Sequence, residues 1–195
     1  MPRQNRLLIN KSYYHVITRG NDKKKLFRLK RDYKIFLRIM KEYISKRKIY
    51  ILHYCLMKNH IHLLIYVEAA KDLPKFMQAV LQIYGAYFRK RYNSTGFVFQ
   101  NRYKSQLIDK DSYLLECARY IERNPLRAKL VDNLFSYPWS SFLFYAKGIK
   151  DKIVSKVNLL YLELGQTPQI RQMRYQNYVL EERPYEAIVD KALRI

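Results

Sequence analysis

With 195 residues, 49% of them hydrophobic, the chain has the material for one well-cored domain and a small appendage. Its 38 Lys and Arg stand against 16 Asp and Glu, a formal net charge of +22, which calls for a polyanionic partner: nucleic acid first, an acidic membrane surface or plain solubility second. No run of 18 apolar residues offers a membrane span, residues 1–6 lack the apolar core of a signal peptide, and Cys55 and Cys117 sit in apolar patterns as reduced thiols rather than a disulfide framework, so a cytoplasmic protein is expected.

The charge is uneven. Residues 1–50 hold 16 Lys and Arg against 3 acids, whereas residues 151–195 hold 7 against 6. Residues 12–19 are β-prone and predict a first strand, broken by Gly20-Asn21-Asp22. Lys23, Lys24 and Lys25 follow as a basic loop that is either solvated or set against phosphates. Apolar residues at three- and four-residue spacing (Tyr33, Phe36, Leu37, Met40, Ile44) predict an amphipathic helix over 31–47. A second strand is expected over about 49–57.

The stretch Lys58-Asn59-His60-Ile61-His62-Leu63-Leu64-Ile65-Tyr66 predicts a third strand. Successive side chains of a strand face opposite ways. His60 and His62 therefore share one face, and Ile61, Leu63 and Ile65 point from the other into apolar packing. Two imidazoles at this spacing are a half-site for a divalent metal, or hydrogen-bonded structural residues.

A second helix is expected over 72–91, with Asp72 as its cap, Pro74 in the first turn and Arg89-Lys90-Arg91 at the negative end of its dipole. After a turn at 93–96, Phe97-Val98-Phe99 and residues 102–108 look like strand material. Gln100 to Lys104 combine polar, aromatic and basic side chains suited to unpaired nucleotides. Asp109-Lys110-Asp111 lead into a third helix, about 112–124, which Pro125 ends or kinks. Its apolar face is Leu114, Cys117, Ala118 and Ile121, with Tyr113, Glu116, Tyr120 and Asn124 on an adjacent stripe. Tyr137 to Ser141 begin another short helix. From about 150, short helical stretches at 155–164 and 168–181 suggest a helical extension over 148–195, beside a main domain of 1–147. The order β-α-β-β-α-β-α predicts an α+β fold of the ferredoxin-like kind, an antiparallel sheet with packed helices.

Five blocks in order, Tyr14-His15-Val16-Ile17-Thr18-Arg19-Gly20-Asn21, Tyr54 to Leu64, Tyr113-Leu114-Leu115-Glu116 with Tyr120-Ile121, Asn124-Pro125-Leu126-Arg127-Ala128, and Tyr137-Pro138-Trp139-Ser140-Ser141, resemble the single-tyrosine HUH (IS200-like) transposases, and most closely the REP-associated tyrosine transposases of bacteria. The resemblance spans about residues 5–145. It implies that Tyr120 is the nucleophile and that His60, His62 and Asn124 hold a divalent ion, Mg²⁺ or Mn²⁺. It implies cleavage of single-stranded DNA near a hairpin of a repetitive extragenic palindrome, through a 5′-phosphotyrosine bond that leaves a free 3′-OH. Lys58 and Lys129 stand where proline and glycine are common in that family.

The chemistry agrees. Tyr120 and Asn124 lie four apart, so one helical face presents both. A phenol, with a pKa near about 10, is a poor nucleophile until activated, and a metal would polarise the phosphate. His15 is expected to be structural or a DNA contact, His53 a half-buried polar residue, and Glu116 a surface or salt-bridging residue or an approach to the metal. Arg19, Arg102, Lys104 and Arg127 are candidate phosphate contacts beside Lys23, Lys24 and Lys25. The rival readings are a hairpin-binding protein of DNA or RNA without catalysis, and a metal nuclease that uses water.

Overall fold

The period-two segments pair into one antiparallel sheet in a computed structural model of the chain, which describes residues 8–108 and 112–183. The strands are β1 (Ser12–Arg19), β2 (Ile49–Leu56), β3 (His60–Val67) and β4 (Lys104–Ile108), in spatial order β2-β3-β1-β4. Helix α1 (Lys30–Ser45) connects β1 to β2, and α2 (Asp72–Tyr92) connects β3 to β4. This is the expected ferredoxin-like α+β arrangement.

Alternation divides the sheet cleanly. Tyr14 and Val16 of β1 join Ile61, Leu63 and Ile65 of β3 in a core with Phe36 and Met40 of α1 and Phe76, Val80 and Tyr84 of α2. Each such side chain, fully buried, contributes about 1.5–3 kcal/mol of transfer free energy. The opposite face carries Cys55 and Leu64 beneath Leu114, Cys117, Ala118 and Ile121 of α3 (Ser112–Arg127). The face bearing His62 is thus roofed by the helix that carries Tyr120.

One buried carboxylate ties α1 to α2. Asp32 accepts from the backbone N–H of Arg28 and Leu29 (2.8 Å each) and from the hydroxyls of Tyr87 and Tyr92 (2.7 Å each). Burial alone would raise its pKa, but these four donors hold it below the usual value.

Of the two readings of Pro125, as an end or a kink, the helix does not end there: α3 runs through Pro125 to Arg127. It closes in a Schellman motif, with Leu130 N bonded to Pro125 O and Lys129 N to Leu126 O, both at 2.9 Å. Lys129 takes the left-handed conformation (φ 50°) that this motif requires. The chain then covers the outer edge of β2: Leu56 N bonds Trp139 O and Ser141 N bonds Tyr54 O, which protects an otherwise open edge. Helix α4 consequently starts only at Phe142 (Phe142–Lys147). Helix α5 is confined to Leu159–Leu162, because Val154 and Ser155 upstream pair with Ile51. Phe97 to Phe99 make no strand, only a single bridge from Phe99 to Gly20. Asp109 to Asp111 and the end of the extension, 184–195, lie outside the described residues.

Helix α6 (Pro168–Leu180) packs on α4 through Phe142, Tyr145, Tyr175 and Val179. Its last carbonyls accept from α3: Tyr178 O from Arg119 Nε at 3.0 Å, Val179 O from Arg123 at 2.7 Å. Between these helices Glu122, wholly buried, binds His53 Nδ1 (2.9 Å), Ser141 Oγ (2.5 Å) and Tyr175 Oη (2.8 Å). His53 is thus fully buried, not half-buried. The register of β2 shifts between Ile51 and His53, and such a bulge re-aims a side chain out of strict alternation, here toward α3.

Candidate active site

A cleft of about 420 Å³ opens where the end of β1 meets the start of β3, and His60, His62, Tyr120 and Asn124 all line it. Strand β3 delivers the two histidines at i and i+2. Helix α3 delivers the other two side chains at i and i+4.

Each histidine is oriented through Nδ1. His60 Nδ1 lies 2.7 Å from Asn59 Oδ1. That oxygen can only accept, so the ring proton sits on Nδ1 and Nε2 keeps its lone pair. His62 Nδ1 lies 3.0 Å from Nε2 of His15, and the two rings stack at 5.3 Å. With His62 as donor, its Nε2 is likewise a free base. His15 is fully buried, and its Nδ1 has no hydrogen-bond partner. Burial pushes His15 down to about 4. Burial, reinforced by the charge of Arg19, pushes His60 to about 4. His62 lies well below its ordinary value through burial, with His15, His60 and Arg127 adding to it. All three are neutral imidazoles at neutral pH, the form that ligates a cation.

Asn124 donates Nδ2 to Tyr120 O (2.7 Å) and Ile121 O (3.3 Å) of its own helix. Its other amide atom, Oδ1, is thereby available as an acceptor. Two imidazole nitrogens and an amide oxygen form a donor set that suits a divalent ion. Among the described residues no group of three His, Cys, Asp or Glu forms such a site; the third donor here is an amide.

Tyr120 is 7% exposed. Its ring meets His15 and His62 edge-on, at 5.7 and 5.6 Å between centroids. The guanidinium of Arg127 lies 5.1 Å over its face. Arg19, Arg102 and Lys104 line the cleft. Lys23, Lys24 and Lys25 do not: Lys24 and Lys25 border a separate groove with Arg28 and Lys58, and Lys24 reaches Ser94 Oγ at 3.3 Å. The turn that begins at Asn21 carries them away from the cleft. Glu116 takes the salt-bridging role rather than an approach to the metal, bonded to Tyr178 (2.8 Å) and Arg183 (2.5 Å) of the C-terminal segment.

Sequence reading did not single out Asn59, nor His15 as the partner of His62. Asn59 had only its adjacency to His60 as a signal. His15 needed the pairing of β1 with β3, in which Ile17 faces His62 and Arg19 faces His60; that register puts the odd residues of β1 on the face of the even residues of β3.

A family model described as "Transposase IS200 like" matches residues 8–124, a span that holds His60, His62, Tyr120 and Asn124. Among solved structures, a REP-associated tyrosine transposase bound to a REP hairpin superposes with a TM-score of 0.65 at 16% identity, covering 80% of this chain and 92% of that one. A proposed transposase from Deinococcus radiodurans R1 gives a TM-score of 0.43 at 12% identity over 66% of this chain and 92% of its own, too slight to argue from. No curated protein matches the chain in sequence.

Proposed function

The chain belongs to the family of IS200-like transposases, and from that premise we propose that it is a metal-dependent single-stranded DNA endonuclease and strand transferase acting through a phosphotyrosine. The observation that carries the reading is the convergence of Tyr120, His60, His62 and Asn124 on one cleft, each of the last three with its second polar atom already engaged. Prior engagement fixes the ring flips and the amide rotamer and so pre-organises the ligands.

In this reading His60 and His62 through Nε2, and Asn124 through Oδ1, would hold Mg²⁺ or Mn²⁺. Such an ion would polarise a bound phosphate and neutralise charge developing on it. Tyr120 Oη attacks the phosphorus, the P–O3′ bond breaks, and the 5′-phosphate remains esterified to the phenol. The phenolic proton passes to solvent and the departing 3′-oxygen takes one up. Arg127, over the Tyr120 ring, favours negative charge on the attacking oxygen. Arg19, Arg102 and Lys104 hold phosphates at the rim. Because one ester replaces another, the step reverses or passes to a second strand without an energy source.

The related fold of a protein that binds a REP hairpin, and the net charge of +22, support a DNA hairpin with a single-stranded flank as substrate. Residues 1–147 form the catalytic domain on this reading, and residues 148–195 form an extension whose α6 braces α3.

The test is a labelled hairpin with single-stranded flanks, incubated with Mg²⁺ or Mn²⁺ and the wild-type or Tyr120→Phe protein. The expected result is an adduct that survives denaturation, on the 5′ end of the fragment lying 3′ to the cut, absent from Tyr120→Phe. Cleavage without an adduct, persisting in that variant, would make water the nucleophile. Tight binding without cleavage on any flank would leave a hairpin-binding module.

A further inference from the structure

Phe97 is 82% exposed, whereas no other large apolar side chain among the described residues exceeds 55%. Its segment is nevertheless anchored. Asn21 N bonds Val98 O, Gln100 N bonds Arg19 O (2.9 Å each), Phe99 bridges to Gly20, and Val98 is buried. An aromatic ring is thus held out to solvent by backbone pinned on its C-terminal side.

It borders a groove of about 750 Å³ between its own segment and α2. Gln82, Gly85 and Arg89 of α2 line that groove, and no acidic side chain does. Gly85 stands mid-helix, where glycine is disfavoured. A Cβ there would meet only the Arg89 guanidinium, at 3.6 Å, an ordinary contact. Packing therefore does not require glycine; its bareness widens the groove floor. Gln100, Asn101 and Arg102 line both this groove and the cleft of Tyr120, so the two adjoin.

We propose that the groove is a single-strand subsite: DNA leaving the Tyr120 cleft runs into it past Arg102 and Arg89, and one unpaired base stacks on Phe97. This rests on the single-strand reading of the neighbouring cleft. Aromatic platforms with flanking cations bind unpaired bases in this way, with little sequence preference. Hydrogen-bonding groups of Gln82, Gln100 and Asn101 stand beside the stack and supply what discrimination there is.

The test uses a hairpin with no flank and the same hairpin with a single-stranded flank in which 2-aminopurine is moved one position at a time, with a chelator present to hold off cleavage. One flank position is quenched by the wild type and by Phe97→Trp, but not by Phe97→Ala. Phe97→Ala weakens the flanked hairpin roughly 5- to 100-fold and the bare hairpin not at all. Gly85→Leu, which fills the groove, does the same with Phe97 intact. Unchanged affinity and fluorescence in Phe97→Ala overturns the proposal. So does conversion of an oligomer to a monomer by Phe97→Ala with DNA binding untouched, which would assign the ring to a second copy. The two readings fail separately. Flank binding that depends on Phe97 without any phosphotyrosine adduct sinks the catalytic reading alone; an adduct with flank binding indifferent to Phe97 sinks the subsite alone.

Discussion

Asn124 turns its amide nitrogen back onto its own helix, and the residue after it explains why. In a regular helix the N–H of residue 125 would serve Ile121 O, but proline has none. Asn124 Nδ2 lies 3.3 Å from that carbonyl and 2.7 Å from Tyr120 O. The Asn-Pro pair therefore works as one unit that leaves Oδ1 outward. Pro125→Ala restores the backbone donor, which competes with the side chain. It should weaken Mn²⁺ binding by about three- to tenfold, read by titration calorimetry, while the melting temperature holds or rises, since proline inside a helix is unfavourable. A fall in melting temperature with unchanged Mn²⁺ binding would contradict this. At this scale His60 and His62 were legible, because a period of two needs only neighbouring residues. The lock on Asn124 was not, since the proline reads locally as a helix end. Nor was the engagement of His62 by His15, which depends on a pairing between residues 47 apart.

Among the elements, α3 carries the most. One face packs on the sheet, another accepts α6 through Arg119, Arg123 and Glu122, and its last two turns present Tyr120 and Asn124. Its end is strained: Lys129 sits at φ 50°, where Cβ crowds the backbone. Lys129→Gly should stabilise the protein by about 1 kcal/mol, a rise of roughly 2–4 °C in melting temperature for a chain of this size, measured by calorimetry. No gain would mean that the lysine is held by contacts outweighing the strain. The sequence already placed Lys129 where glycine is common, without saying what the position asks of the backbone. Helices α1, α2 and α3 were readable from apolar spacing. The residues before α4 and α5 were not, because their backbone bonds go to β2, far away in the chain.

For the molecule as a whole, acid should be the weak flank. His15 and His60 are held near 4 and His62 well below its ordinary value, whereas in the unfolded chain they titrate near 6.5. Between about pH 6.5 and 4 the unfolded state takes up protons that the native state refuses, so stability falls as pH falls, by up to about 3 kcal/mol for His15 alone. Self-repulsion at a net charge of +22 adds in the same direction. Denaturant unfolding at pH 7.5 and pH 5, with a chelator in both, should show the loss; equal stabilities would mean that the imidazoles protonate in place. The charge and its polyanionic partner were legible from composition. The division of basic residues between the cleft and the separate groove of Lys24 and Lys25 was not, since it depends on how a loop turns. The grip on α3 from both sides also bears on the order of events. On the proposed function, a strand esterified to Tyr120 would be moored to a helix pinned between sheet and α6, an anvil rather than a swinging arm. Rejoining would then require the second DNA end to travel to the first, and the geometry of the exchange would be written in how the DNA folds.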